Sequence, residues 1–165
     1  MTTRRNVLFG AAFGVLAGAG AISAFTATGA PNGPAKTFEV NHTDDEWRRL
    51  LSPAAYEVLR NAGTERPYSS QLNDEHRSGT FGCAGCGQAL FSSTTKFDSG
   101  TGWPSFYKAI DNAVIERQDS TMGMSRTEVL CSRCGGHLGH VFDDGPPPTG
   151  LRYCMNGVAM GFTAA

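Results

Sequence analysis

Apolar residues follow three different spacings along the chain of 165 residues. Near the N-terminus they form one continuous run, Val7 to Ala24, that contains no charged residue. Between residues 43 and 63 they recur at the intervals of an amphipathic helix. From Gly79 onward they form short runs separated by Gly, Asp, Asn and Pro, which predicts a mainly antiparallel β domain after two short helices. The runs predicted as strands include Thr80–Phe81, Ala89–Phe91, Ala113–Glu116, Thr127–Leu130 and Val158–Met160.

The two predicted helices have clear start signals. Thr43 and Glu46 are spaced as a capping box, in which each side chain binds the backbone N–H of the other. Ser52 and Pro53 then begin a second helix as N-cap and first helical residue, and Gly63 is expected to end it. Neither helix carries a chemical motif, so both are predicted to be packing elements. The apolar residues at helical spacing are Trp47, Leu50, Leu51, Tyr56, Val58 and Leu59.

The N-terminal run is predicted to be a targeting segment rather than part of the fold. Arg4 and Arg5 precede it, and this pattern resembles a twin-arginine export signal over residues 1–30. Residues 31–40 are then a linker rich in Pro and Gly, and residues 41–165 form the folded domain. The predicted location is periplasmic or otherwise exported, with the export machinery as a partner. The alternative is an uncleaved membrane anchor, because about 18 residues of low polarity are just long enough to span a bilayer.

Charge and cysteine content narrow the functional classes. The formal net charge is −1, so the chain lacks the excess of basic residues that would predict a nucleic-acid partner. The five cysteines are too few and too regularly placed for a disulfide-stabilised scaffold. Four of them instead form two matched C-x-x-C-G units, which begin at Cys83 and Cys131.

The two C-x-x-C-G units are predicted to bind one metal ion. Two residues between the cysteines let both sulfurs point at one ion from a tight turn, and the following glycine permits an unusual backbone conformation. Four thiolates are the tetrahedral set of a structural Zn²⁺ site. The alternatives are two disulfides in an oxidising compartment or a thioredoxin-like redox pair. The predicted ligands are Cys83, Cys86, Cys131 and Cys134.

Cys154 is the one cysteine outside these units. If the surrounding residues form a strand, side-chain alternation places Arg152, Cys154 and Asn156 on one face. The Arg152 guanidinium would favour the thiolate, which is the nucleophilic form of cysteine. The Asn156 amide could donate or accept a hydrogen bond near it. The alternative is a free cysteine buried in a β core, which is common.

Two further stretches carry candidate chemistry. Trp103 lies among turn-forming residues, where its indole could face a methyl group beside a polarised sulfur or could plug the core. His137 and His140 closely follow the second C-x-x-C-G unit and could hold a water or a proton near a substrate oxygen. The alternative for the histidines is a metal-binding or packing role, although four thiolates already complete the predicted metal site.

Ordered sequence blocks between Asp44 and Phe162 resemble the B-type peptide methionine sulfoxide reductases, the class that acts on the R epimer. The resemblance implies a β-tent fold of two antiparallel sheets, with a structural zinc ion away from the active centre. It implies Cys154 as the nucleophile and Trp103 and Phe142 as substrate-binding residues. The polar shell that it implies consists of His137, His140, Arg152 and Asn156. The matching blocks are Glu46–Trp47, Gly63–Pro67, Lys96–Gly100, Gly102–Phe106, Arg126–Val129, His137–Phe142 and Leu151–Asn156.

The implied reaction repairs oxidised proteins or peptides. The Cys154 thiolate attacks the sulfoxide sulfur, a histidine protonates the oxygen, and Cys154 becomes a sulfenic acid as methionine leaves. Many relatives carry a resolving cysteine where this chain has Thr101, so we expect an external small thiol or thioredoxin-like protein to reduce the sulfenic acid. The competing hypotheses are a non-catalytic zinc-bearing module that binds a partner protein, and a thiol–disulfide oxidoreductase that uses a C-x-x-C pair.

Overall fold

The computed structural model describes residues 37–120, 123 and 125–165. The predicted export signal and residues 31–36 of the predicted linker lie outside this range. Within the described range, no helix combines the length and the apolar character needed to cross a membrane. The elements found there are α1 (Asp44–Leu50), α2 (Pro53–Asn61), β1 (Gly79–Cys83), β2 (Ala89–Ser92), β3 (Lys96–Phe97), β4 (Ser105–Phe106), β5 (Val114–Asp119), β6 (Arg126–Cys131), β7 (His137–Phe142), β8 (Arg152–Met155) and β9 (Met160–Ala164), with short 3₁₀ helices at Gln71–Asp74, Ser93–Thr95 and Gly157–Ala159.

The predicted helix starts are confirmed. The Thr43 hydroxyl accepts from the N–H of Glu46, whose carboxylate accepts from the N–H of Thr43, so the capping box is complete. The Ser52 hydroxyl caps α2 by accepting from the N–H of Ala55, and Pro53 is the first residue of the helix. The predicted end at Gly63 is wrong, because Ala62 itself adopts the left-handed conformation, at φ 53°, and closes the last turn.

The described strands form two antiparallel sheets, as the resemblance implied. One sheet has the order β2–β1–β9, and the other has the order β3–β4–β8–β7–β6–β5. The predicted strand Val158–Met160 is wrong in its first part, because a 3₁₀ helix precedes β9. The Glu65 carboxylate accounts for this difference, since it accepts hydrogen bonds from the backbone N–H groups of Gly157 and Val158 and holds them in a turn.

A cluster of phenylalanine rings joins the two sheets. Phe81 and Phe91 come from the smaller sheet and Phe106 from the larger one, and all three side chains are completely buried. The rings of Phe91 and Phe106 stack with centroids 4.3 Å apart, and Phe81 meets Phe106 edge to face at 4.9 Å. Because Phe106 pairs with Tyr153 of β8, the core also fixes the strand that carries Cys154.

Candidate active site

An irregularity in β7 brings His137 and His140 to the same face of the sheet. In a regular strand, residues three positions apart point to opposite faces. In the pairing with β6, His140 lies opposite Glu128. His137 lies opposite Leu130, only two positions further along β6, so β7 has one extra residue between the histidines. The two imidazole centroids are consequently 5.4 Å apart.

Gly139 makes this bulge compatible with the neighbouring strand β8. A Cβ atom at position 139 would lie 2.2 Å from the carbonyl oxygen of Cys154 and 3.0 Å from the Cα of Met155. A separation of 2.2 Å is too short for any side chain at position 139, because Cβ atoms essentially never approach another heavy atom closer than 3.0 Å. The absence of a side chain therefore allows the backbone of β7 to approach β8 beside the thiol.

Cys154 lies in the interior of the larger sheet, where its strand pairs on both sides. Its register partners are Ser105 of β4 and His140 of β7. The thiol is half-buried and borders a cavity of about 170 Å³. This volume lies below the roughly 300–1,000 Å³ of sites for drug-sized ligands and suits a single amino-acid side chain. The lining residues are Thr64, Trp103, Arg126, Gly139, His140, Phe142, Cys154 and Asn156.

Burial raises the pKa of the Cys154 thiol above its ordinary value, because a buried thiolate loses its hydration. Three neighbours act in the opposite direction by favouring the thiolate. They are the Thr101 hydroxyl, whose oxygen lies 3.8 Å from the sulfur, the Arg152 guanidinium and the Ser105 hydroxyl. The effect expected of Arg152 is present, but burial outweighs it, so the resting thiol is protonated at neutral pH.

Two contacts hold the Arg152 guanidinium in place. Its Nε and Nη2 donate to the two carboxylate oxygens of Asp144, each at 2.8 Å. Its central carbon lies 4.5 Å from the centroid of the Phe142 ring. Arg152 is therefore fixed against an aromatic side chain of the cavity wall, and Asp144 neutralises part of its positive charge.

Each imidazole is bound by a carboxylate. Nδ1 of His137 lies 2.7 Å from an oxygen of Glu128, and Nε2 of His140 lies 2.9 Å from an oxygen of Asp119. Burial lowers the pKa of His137 in spite of Glu128, so this ring is neutral at pH 7 and donates from Nδ1. His140 borders the cavity beside Cys154, whereas His137 is buried against the His140 ring.

Trp103 and Asn156 are oriented by hydrogen bonds to backbone groups. Nε1 of Trp103 donates to the carbonyl oxygen of Glu65 at 3.2 Å. Oδ1 of Asn156 accepts from the N–H of Glu65 at 2.9 Å, and its Nδ2 donates to the carbonyl oxygen of Leu138 at 3.0 Å. The indole and the amide that border the cavity thus have defined orientations.

The other four cysteines converge in a group that can hold a metal ion. All four sulfurs lie within 4.8 Å of one another. A disulfide would bring two sulfurs to about 2.05 Å, which these free cysteines do not approach. Four thiolates bound at about 2.3 Å to one tetrahedral ion are about 3.8 Å apart, so the donor set and its spacing fit a single ion. Two of the separations are 3.7 Å, for Cys83 and Cys134, and 3.6 Å, for Cys86 and Cys131.

Matching turns build the two halves of the cysteine group. The N–H of Gly87 donates to the carbonyl oxygen of Cys83 at 2.8 Å. In the second unit, the N–H of Gly135 donates to the carbonyl oxygen of Cys131 at 2.9 Å. Both glycines have positive φ angles, 73° and 68°, which confirms the conformation expected of them. Because the second turn leads into β7, the group anchors the strand that carries both histidines.

The structure brings the predicted site residues together, some of them in the cavity wall and the others directly behind it. Five line the cavity, and the other two, His137 and Arg152, contact lining residues. Sequence reasoning missed the partners that hold them. Asp144 follows the His137–Phe142 block almost directly, and Glu65 and Glu128 lie within the blocks Gly63–Pro67 and Arg126–Val129, whereas no local signal marks Asp119. The predicted residues that line the cavity are Trp103, His140, Phe142, Cys154 and Asn156, and the partners that were missed are the backbone of Glu65 and the carboxylates of Asp119, Glu128 and Asp144.

Comparison with known proteins places this site in a family. The SelR domain matches residues 51–164 of the chain. A protein of Thiobacillus denitrificans named peptide methionine sulfoxide reductase MsrB is 60% identical over 121 residues, which are 73% of this chain and 92% of that protein. Proteins of the same name are 53% identical over 76% of this chain in Leptospira interrogans and in Methanosarcina mazei, covering 96% and 90% of those proteins. The match spans the cavity, both histidines and all five cysteines, and the chain therefore belongs to the SelR-domain family of MsrB peptide methionine sulfoxide reductases.

Proposed function

We propose that this chain reduces the R epimer of methionine sulfoxide in peptides and proteins to methionine. The observation that carries the proposal is the pairing of Cys154 with His140 across one small cavity. This pairing offers a nucleophile and a proton donor to the same bound group. The relatives named as peptide methionine sulfoxide reductases support the same reaction for this chain.

The walls of the cavity explain how one epimer would be selected. Trp103 and Phe142 supply aromatic surface for the methyl group of the sulfoxide, and His140 and Asn156 supply polar atoms for its oxygen. The sulfur is a stereocentre that bears the methyl group, the oxygen, a lone pair and the rest of the side chain. When the methyl group and the oxygen are each held by their own residues and the peptide leaves through the mouth of the cavity, only one epimer fits, because the other exchanges its lone pair with the carbon that leads to the peptide.

The first step transfers the sulfoxide oxygen to Cys154. The Cys154 sulfur attacks the sulfoxide sulfur, and the proton of the Cys154 thiol passes through His140 to the sulfoxide oxygen. The S–O bond of the substrate then breaks as oxygen passes to the cysteine, so the products are methionine and the Cys154 sulfenic acid. Methionine sulfoxide gains two electrons and the cysteine loses two.

His140 is the better placed of the two histidines to deliver the proton. It lines the cavity and is the register partner of Cys154. Its Nε2 is bound by the Asp119 carboxylate, so Nδ1 can accept the proton of the Cys154 thiol and pass it to the sulfoxide oxygen, directly or through a bridging water. His137 is buried, neutral at pH 7 and bound to Glu128, and its role is to pack against the His140 ring.

The sulfenic acid is then reduced by a thiol from outside the chain. The residue nearest to Cys154 in the position of a resolving cysteine is Thr101, whose hydroxyl lies 3.8 Å from the sulfur and cannot form a disulfide. The other four cysteines belong to the metal-binding group. Two external thiols, from a small molecule or a thioredoxin-like protein, would restore the Cys154 thiol and release a disulfide and water.

Zinc is the ion proposed for the four-cysteine group, because four thiolates in a tetrahedral arrangement favour Zn²⁺. Such a site has no open position, so its contribution is structural. Cys83 and Cys86 flank the turn between β1 and β2, and Cys131 and Cys134 flank the turn that leads into β7. A bound ion would therefore join the two sheets and hold the strand of the histidines.

Export of the mature domain is proposed from the paired arginines before the uncharged run Val7–Ala24. The alternative remains an uncleaved membrane anchor. A periplasmic location would expose the domain to oxidants and would require its reductant to be present in the same compartment.

Substitution of Cys154 and His140 tests the reaction directly. With dithiothreitol as reductant, the wild type is expected to consume no more than half of a racemic, N-protected methionine sulfoxide, and Cys154→Ser none. His140→Gln should lower kcat/KM by about 10²- to 10⁴-fold, because a general acid is lost. His76→Gln, at an exposed histidine, is the matched control and should behave as the wild type. Equal rates for the wild type and Cys154→Ser would reject the assignment.

Trapping experiments test the need for an external thiol. After one equivalent of substrate and no reductant, wild-type Cys154 should form a dimedone adduct. In Thr101→Cys the introduced thiol lies close enough to close a disulfide with Cys154, so the adduct should be replaced by that disulfide in mass spectra. An internal disulfide in the wild type would show that another cysteine resolves the intermediate.

Metal analysis tests the zinc assignment with a control that the chain itself provides. The wild type and Cys154→Ser should both contain about one equivalent of zinc, since Cys154 is outside the four-thiolate set. Cys134→Ser should lose the ion and unfold at a lower temperature, because metal binding contributes to folding. Two disulfides and less than about half an equivalent of zinc in the wild type would contradict the assignment.

The N-terminus of the protein recovered from cells tests export. A mature sequence that begins after the uncharged run, in the periplasmic fraction, is the expected result. Replacing Arg4 and Arg5 by lysine should leave the precursor in the cytoplasm. A full-length chain in the membrane fraction would instead identify the anchor, and a full-length soluble chain would reject both.

A further inference from the structure

Glu65 contacts three parts of the site through three different groups. Its backbone N–H donates to Oδ1 of Asn156 at 2.9 Å, and its carbonyl oxygen accepts from Nε1 of Trp103 at 3.2 Å. Its carboxylate accepts from the N–H of Gly157 at 2.5 Å and from the N–H of Val158 at 3.0 Å. The residue comes from the loop after α2, more than thirty positions from each of its partners in the sequence.

The Glu65 carboxylate caps the 3₁₀ helix Gly157–Ala159 from a distance. The N-cap residue of this helix is Asn156, whose own side chain makes no capping hydrogen bond. The first N–H groups of a helix need acceptors, and a carboxylate is the strongest one that a protein offers. Because Glu65 fills this role, the Asn156 amide is left to bind the backbone of Glu65 and Leu138 instead.

The same residue therefore connects two residues that line the cavity. Trp103 lies on the wall assigned to the methyl group, and Asn156 lies on the polar wall, two residues beyond Cys154. Both hydrogen-bond to the backbone of Glu65, and the carboxylate fixes that backbone against the end of β8. Loss of the carboxylate would release the loop. The Trp103 indole and the Asn156 amide would then lose the fixed backbone to which both are hydrogen-bonded.

We propose that Glu65 is a positioning residue that sets the separation between the Trp103 wall and the Cys154–Asn156 segment. This inference rests on the proposed reductase function, for which it assigns the residue that holds the substrate pocket at its working width. The charge and the length of the side chain both matter, because each carboxylate oxygen accepts from a different N–H group. Glutamine retains one acceptor oxygen but directs an NH₂ group at the other N–H, so it restores only part of the contact.

Kinetics and an NMR signal test the proposal together. Glu65→Ala is expected to lower kcat/KM by about 10- to 100-fold, since small misplacements of a bound group have effects of this size. Glu65→Gln should fall between Glu65→Ala and the wild type. Glu57→Ala, at an exposed glutamate of α2, is the matched control and should retain wild-type kinetics. The indole N–H resonance of Trp103, assigned with Trp103→Phe, should shift in Glu65→Ala, whereas that of buried Trp47 should not.

The outcomes separate a positioning role from a merely structural one. If Glu65→Ala unfolds at a lower temperature but keeps the kcat/KM and the Trp103 resonance of the wild type at 25 °C, the proposal is overturned. The same holds if both tryptophan resonances shift equally, because that result indicates a general loss of packing. A wild type without reductase activity would reject the proposed function, while the selective shift of Trp103 would still report whether Glu65 orients the indole.

Discussion

The hydrogen-bonded register of β4, β8 and β7 is the constraint on which the site depends. Cys154 is held between Ser105 and His140 by this register, and its position cannot change without moving two neighbouring strands. The extra residue in β7 then turns His137 to the face of His140, and Gly139 gives the bulged backbone room beside β8. A local departure from regular β structure thus assembles side chains that an ideal sheet would place on opposite faces.

Burial and neighbouring polar groups act in opposite directions on the pKa of the Cys154 thiol. Burial keeps the Cys154 thiol protonated, although Thr101, Arg152 and Ser105 each favour the thiolate. Arg152 is itself held by Asp144, so its charge reaches the thiol in weakened form. Each of these side chains has a fixed partner, and the cavity therefore presents a defined pattern of donors and apolar surface to a ligand.

Local patterns in the sequence predicted much of the fold and part of the site. The capping box at Thr43 and the paired C-x-x-C-G units are local, and the structure has both. The family blocks named the residues that line the cavity. The strand error at Val158 arose because the Glu65 carboxylate, ninety-three positions away, determines the conformation there. Sequence spacing likewise could not show that the two histidines share one face of the sheet. Their placement depends on a bulge in β7 that is visible only in the pairing with β6.

The burial of Cys154 has a consequence for chemoselectivity. Peroxides react with thiolates and hardly at all with thiols, so an exposed thiolate of low pKa is oxidised fastest. A thiol that burial keeps protonated is a slow target for peroxide in solution, and in the proposed reaction it reacts only when a sulfoxide fills the cavity and its oxygen takes up the proton. Under the proposed function, the fold would thereby slow the reaction of Cys154 with the same oxidants that generate its substrate.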